Sequence, residues 1–222
     1  MIKTILFDAD DTLWHDSHYF QKLQNFVVDA ASKIGITEDN LMSILTRNMK
    51  LAGMGEKNYT IALLKTVEEL PFETSFTSDL QGQIDLFLNH PVELFDNVET
   101  ILYKLAFAQR ILLTKGRYNE QIRKVIKSQL LNAFDNIIVL DKKNPKNLKA
   151  LLELFNLIPT DCLLIGNSLR HDIIPAVENR ISCIWYNHEH NEFGRNDTKP
   201  IQCYEANNWN DIYDIIIKLN ND

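Results

Sequence analysis

Asp8-Ala9-Asp10-Asp11-Thr12 places three carboxylates within four residues. Such a concentration of like charge is costly unless water or a cation compensates it. As chemistry it has two readings: an acidic turn in water, or an oxygen-ligand site for a hard divalent cation. Mg²⁺ takes one or two carboxylates together with phosphate and water. A carboxylate there can also attack phosphorus and carry the phosphoryl group as an aspartyl-phosphate. Three downstream segments supply what that reaction needs. Thr114-Lys115-Gly116 offers a hydroxyl and backbone N–H groups ahead of a helix, which suits a phosphate. Asp141-Lys142-Lys143-Asn144-Pro145-Lys146 offers cations near another helix start. Gly166-Asn167-Ser168-Leu169-Arg170-His171-Asp172 carries an amide and then a carboxylate on a Gly turn. Each segment alone reads as a solvated turn or helix cap. All of them, in order and each closing an apolar run, predict one functional edge.

The elements that must position these residues follow from hydrophobic periodicity. Residues 2–7, Ile111–Leu113, Ile137–Leu140, Leu163–Ile165 and Ile181–Trp185 are short, almost continuously apolar runs, as expected for parallel strands covered on both faces. Helical patterns at Val98–Ala108, Asn119–Leu131, Pro145–Phe155 and Asp172–Asn179 alternate with them. The pattern predicts an α/β fold with a Rossmann-like, doubly wound parallel sheet, whose ligands bind at the carboxyl ends of the strands. The segment between the first two strands is far longer than one crossover helix requires. Four helical stretches fill it: Phe20–Ile34, one from about Glu38 with Thr37 as N-cap, Asn58–Leu70 and Ser78–Asn89. We therefore expect a core of residues 1–14 and 92–222 carrying an inserted helical domain over 15–91.

These residues give the chain a resemblance to the haloacid dehalogenase-like (HAD) hydrolase superfamily. Its first motif, DxDx[TV], is matched by Asp8-Ala9-Asp10-Asp11-Thr12, and its second, a Ser or Thr closing strand two, by Thr114. Its motif lysine falls on Lys143, with Lys142 and Lys146 as competitors, and its fourth motif, GDxxxxD, is met by Gly166 and Asp172 with Asn167 at the first acidic place. The helical insertion looks like the C1-type cap of that superfamily, so the resemblance spans nearly the whole chain. It implies a Mg²⁺-dependent phosphatase. Asp8 would be the nucleophile and a metal ligand. Asp10 would be the general acid and then the base, with its backbone carbonyl on the metal. Thr114 and Lys143 would hold the transferring phosphoryl group, assisted by Lys115 and Gly116. Asp172 and Asn167 would complete the Mg²⁺ site. Asn167 departs from the motif: an amide oxygen ligates Mg²⁺ without bringing charge, so weaker metal binding is expected. Dehalogenases of the superfamily lack the second aspartate, so Asp10 favours phosphate esters. The alternatives are a phosphomutase, or a non-catalytic phosphometabolite-binding protein weakened in metal activation by Asn167.

Composition narrows the class. The chain has 222 residues, 45% hydrophobic and 24% charged, with 23 Lys and Arg against 30 Asp and Glu for a net charge of −7. That is a globular composition without the basic footprint of a nucleic-acid binder. No stretch approaches the roughly 18 apolar residues of a membrane span, so no membrane partner is expected. Cys162, Cys183 and Cys203 form no CxxC and no even set, which points to a reducing, cytoplasmic setting. The expected partner is a small phosphorylated metabolite, because a cap closing over the site excludes a folded phosphoprotein. Oligomeric state is undetermined by sequence. His188-Glu189-His190 reads as surface loop more than as a metal site, since no third ligand has a recognisable spacing.

Overall fold

The structure is a computed structural model that describes residues 1–188, 200 and 202–221. It divides into two compact units, Met1–His15 with Val92–Asp222, and Asp16–Pro91. The His188-Glu189-His190 motif lies outside the described residues except for His188.

In chain order, β1 (Thr4–Phe7) is followed by four helices, α1 (Ser17–Lys33), α2 (Glu38–Ala52), α3 (Glu56–Glu68) and α4 (Thr74–Leu88). The chain continues through α5 (Val98–Lys104), β2 (Gln109–Lys115), α6 (Tyr118–Lys127), β3 (Asn136–Leu140), α7 (Pro145–Leu154) and β4 (Cys162–Gly166). It ends with α8 (Ile174–Glu178), β5 (Ser182–Tyr186), β6 (Cys203–Ala206) and α9 (Trp209–Asn221).

Among the described residues the strands form one sheet of order β3-β2-β1-β4-β5-β6, and every neighbouring pair is parallel. The period of two along each strand sorts the side chains onto two faces. Ile5, Phe7, Leu163, Ile165 and Ile184 pack with Val98 and Leu102 of α5 and Trp209, Ile212 and Ile216 of α9. Leu6, Ile111, Leu113, Leu164 and Cys183 face the other way, onto Leu148, Leu151 and Leu152 of α7 and Ala176 of α8. With helices on both faces, the near-continuous apolar runs of the central strands are explained. The chain leaves β1 toward β2 on one side and returns as β4 on the other. The switch point therefore falls beside β1, with Asp8 at the end of one strand and Asn167 at the end of its neighbour.

Two local expectations need correction. A sixth strand, β6, pairs with β5 through Cys183–Cys203 to Tyr186–Ala206. Only the outer two of its four residues are buried, so it shows no apolar run in sequence. The helix expected to begin at Asp172 instead opens with a wide π turn over Leu169–Ile173, and α8 starts at Ile174. Pro175 there supplies no N–H, which costs nothing at the start of a helix.

The unit Asp16–Pro91 has its own core, in which Leu23 and Val27 of α1, Leu41 and Leu45 of α2, Leu63 of α3 and Leu80 and Ile84 of α4 are buried together. Thr37 caps α2 by accepting from the Asn40 N–H at 3.4 Å. Gly53, at φ 86°, takes a conformation that disfavours side chains and ends α2.

Candidate active site

The acidic motif is a tight loop beyond β1. The Asp8 N–H still donates to the Ile165 carbonyl at 2.9 Å, as a strand residue would. The chain then turns, with Leu13 N–H on the Ala9 carbonyl at 2.8 Å and Asp11 N–H on the Trp14 carbonyl at 2.8 Å. Asp11 takes φ 56°, a left-handed conformation that Asp tolerates better than most residues. Thr12 is fully buried. Its hydroxyl donates to Asp8 Oδ2 at 3.1 Å and accepts from the Asn167 N–H at 3.1 Å, tying the first motif to the end of β4. Trp209 of α9 secures the same loop by donating from Nε1 to the Thr12 carbonyl at 3.0 Å.

Asp8 and Asp172 converge on one ammonium. Lys143 Nζ donates to Asp8 Oδ1 and to Asp172 Oδ1, the latter at 2.5 Å. All three side chains are buried, whereas Lys142 and Lys146 are exposed. Asp172 Oδ2 also accepts from the Ser168 N–H at 3.0 Å. Gly166 makes this possible: a Cβ there would lie 2.5 Å from Asp172 Cγ. The Asp8 carboxyl is raised from 3.8 to about 7, chiefly because burial disfavours its charge and then because the Asp172 charge is close, with Lys143 acting in the opposite sense. Burial works against the Lys143 ammonium too, but Asp172 and Asp8 outweigh it and hold its pKa above the ordinary value.

One ammonium between two buried carboxylates leaves net negative charge. Together with the Asn167 amide, these groups offer oxygen donors only, the set a hard dication takes. By chemistry and by charge the residues present fit Mg²⁺.

Thr114 and Asp10 are joined through a residue that the sequence reading does not name. Thr114 Oγ1 donates to Gln121 Oε1 at 2.9 Å, and Gln121 Nε2 donates to Asp10 Oδ2 at 2.9 Å. Lys124 Nζ lies 3.0 Å from Asp10 Oδ1, and Trp14 Nε1 donates to the same oxygen at 2.8 Å. Lys115 is half-buried near Lys143, Asp8 and Asp172, and burial and then the Lys143 charge lower its pKa. Gly116 sits at φ 143°; its N–H donates to the Leu140 carbonyl at 3.1 Å, and a Cβ there would come within 3.3 Å of Gln121 Nε2. It makes room for Gln121. The signal for Gln121 and Lys124 was present but indirect: on a strongly amphipathic α6 they share the buried face with Val125.

Residues 2–178 match the haloacid dehalogenase-like hydrolase family. The chain belongs to that family. It is 26% identical over 209 residues to a glyceraldehyde 3-phosphate phosphatase of Methanothermobacter thermautotrophicus, covering 88% of this chain and 90% of that protein. A glyceraldehyde 3-phosphate phosphatase of Pyrococcus abyssi is 24% identical over 198 residues, covering 84% of this chain and 82% of that protein. Among solved structures, a haloacid dehalogenase-like family hydrolase from Xanthomonas campestris superposes with a TM-score of 0.83 at 26% identity, covering 98% of this chain and 91% of that one. The HAD hydrolase fold and hydrolase class expected from the motifs are thus both present.

A separate group, Asp16, Glu56 and His90, lies in the helical unit with candidate ligand atoms all within 4.8 Å of one another. It shares no member with Asp8, Asp10, Asn167 and Asp172. His90 Nε2 stands 3.7 Å from Glu56 Oε1, and its Nδ1 is 2.6 Å from the Pro91 carbonyl. Among the described residues, no helix is long and apolar enough to cross a membrane.

Proposed function

We propose that this HAD hydrolase is a Mg²⁺-dependent phosphatase of small phosphorylated metabolites, working through an aspartyl-phosphate on Asp8. The observation that carries the reading is the convergence of Asp8 and Asp172 on Lys143, with the second aspartate, Asp10, held separately by Gln121 and Lys124. Two carboxylates in different surroundings are what a nucleophile and an acid–base partner need.

In this reading Asp8 attacks phosphorus while Lys143 offsets the charge on the phosphoryl oxygens and orients the carboxylate. Thr114 and the Lys115-Gly116 turn flank the phosphoryl position. Asp10 gives its proton to the leaving oxygen and then takes one from the water that releases phosphate from Asp8. Mg²⁺, held by Asp8, Asp172, Asn167 and the Asp10 backbone carbonyl, would add charge compensation for the transferring group. Most of the catalysis in phosphoryl transfer is such positioning and electrostatics. A halide leaving group needs no proton, so the presence of Asp10 favours ester hydrolysis over carbon–halogen cleavage.

The helical unit Asp16–Pro91 is the cap domain of this reading. The names of the two archaeal relatives put a three-carbon sugar phosphate first among substrates to test. The three cysteines are buried free thiols, which suits a cytoplasmic enzyme.

The test is a screen of phosphorylated metabolites, glyceraldehyde 3-phosphate among them, with and without Mg²⁺ and beside Asp8→Asn. Release of phosphate that needs Mg²⁺ and is lost by at least about 10³-fold in Asp8→Asn is expected. No turnover of any ester at saturating Mg²⁺ would overturn the proposal.

A further inference from the structure

We infer that Gln121 and Lys124 are positioning residues for Asp10, and that Gln121 couples the Thr114 hydroxyl to the Asp10 carboxylate. The inference deepens the phosphatase reading and rests on it. It is carried by one contiguous chain of contacts within a single unit of the fold. Thr114 Oγ1 donates to Gln121 Oε1 at 2.9 Å, and Gln121 Nε2 donates to Asp10 Oδ2 at 2.9 Å. Lys124 Nζ takes the other carboxylate oxygen at 3.0 Å.

The amide can be assigned from its neighbours. The NH₂ end of Gln121 faces Asp10, as a donor facing a carboxyl oxygen. The carbonyl end then faces Thr114, whose single hydroxyl proton goes to it. A Thr114 hydroxyl that donates to a phosphoryl oxygen must give up this bond. Gln121 therefore connects the state of the phosphoryl position to the group that serves the leaving oxygen.

Burial argues that the pair is retained for more than packing. The Lys124 side chain is 3% exposed and Gln121 is 4% exposed, while Asp10 is 26% exposed. Lys and Gln are among the residues least often fully buried, and one turn of helix offers this face to apolar side chains at no such cost. They stand three residues apart on α6, so both reach the same side. Gly116 leaves the space that the Gln121 amide occupies. A local rule broken twice on one helix face, with both side chains aimed at one carboxylate, is the mark of a functional constraint.

The test uses leaving-group dependence, which a purely structural defect does not alter. An alkyl alkoxide leaves poorly without a proton, whereas p-nitrophenolate leaves without help. We compare kcat/KM, which reports steps up to departure of the leaving group, for glycerol 3-phosphate and p-nitrophenyl phosphate with Mg²⁺. In Gln121→Leu and Lys124→Met the ratio of alkyl to aryl kcat/KM is expected to fall about 10-fold or more, in the same direction as in Asp10→Asn. Lys124→Arg, which keeps the cation, should restore the ratio to within about threefold of the unaltered protein. If Gln121→Leu does not fold, Gln121→Asn keeps the amide but shortens its reach and reads the same ratio. Equal losses on both esters would overturn this inference and leave the phosphatase reading standing. An unaltered protein that cleaves neither ester nor any other phosphorylated metabolite would overturn both.

Discussion

Gly166→Ala tests whether the end of β4 is built around the Asp172 side chain. An added Cβ would meet Asp172 Cγ at 2.5 Å and its Cβ and Oδ2 at 2.6 Å, well inside any ordinary contact. The clash is not confined to a movable tip, because Asp172 Cβ is fixed to the backbone of the Leu169–Ile173 turn. Relief needs the turn to shift, and the shift draws Asp172 off Lys143 Nζ, which it now meets at 2.5 Å. Overpacking costs about 1–3 kcal/mol, and loss of one charged hydrogen bond a further ~1.5–3 kcal/mol. The sum, about 3–6 kcal/mol, is a large part of the total stability of a domain. At roughly 2–4 °C per kcal/mol for this chain length it lowers Tm by about 6–24 °C. Urea unfolding of the metal-free protein measures it directly. Gly82→Ala is the matched control: Gly82 lies inside α4 with nothing within 4 Å of its Cβ position, so alanine there should stabilise by about 0.5–1 kcal/mol. A loss below about 1 kcal/mol for Gly166→Ala, or the same sign at both positions, would refute the reasoning.

Lys143→Met leaves Asp8 and Asp172 facing each other without their ammonium. It should cost about 3–5 kcal/mol in metal-free protein, with part of the loss returned by Mg²⁺ in a thermal melt. A loss under about 1 kcal/mol would show that the ammonium is not what compensates the pair. Asn167→Asp supplies the carboxylate missing from the fourth motif and should tighten Mg²⁺ by about 10-fold in calorimetric titration; unchanged affinity would remove position 167 from the metal site. The pH dependence follows from Asp8, whose carboxyl is raised from 3.8 to about 7 in the fold. Between those values the folded protein holds a proton that the unfolded chain releases. The contribution is fully present below about pH 4 and is lost as pH rises through 7, on the order of 4 kcal/mol in all. In chelator, the fall in stability from pH 4 to 7 should accordingly be steeper than in Asp8→Asn; parallel profiles would contradict the assignment.

The sequence by itself determined the kind of fold and the hydrolase class. Alternating apolar runs and helical periods require a covered parallel sheet, because backbone groups in apolar stretches must pair with one another. DxDxT at the end of the first run puts carboxylates at the edge where such sheets bind ligands. Both signals are local, lying within one turn or one strand. The tertiary structure alone decided which lysine meets the carboxylates: Lys142 and Lys143 precede α7 and Lys146 lies in its first turn, yet only Lys143 is buried, and its partners lie 135 and 29 residues away. It likewise decided that Gln121 and Lys124 serve Asp10, across 111 and 114 residues of sequence. A short edge strand such as β6, half of whose side chains are exposed, escaped the sequence for a related reason. Periodicity records which face of an element avoids water, whereas a buried polar residue records which partner awaits it, and that partner is fixed only when the chain has closed.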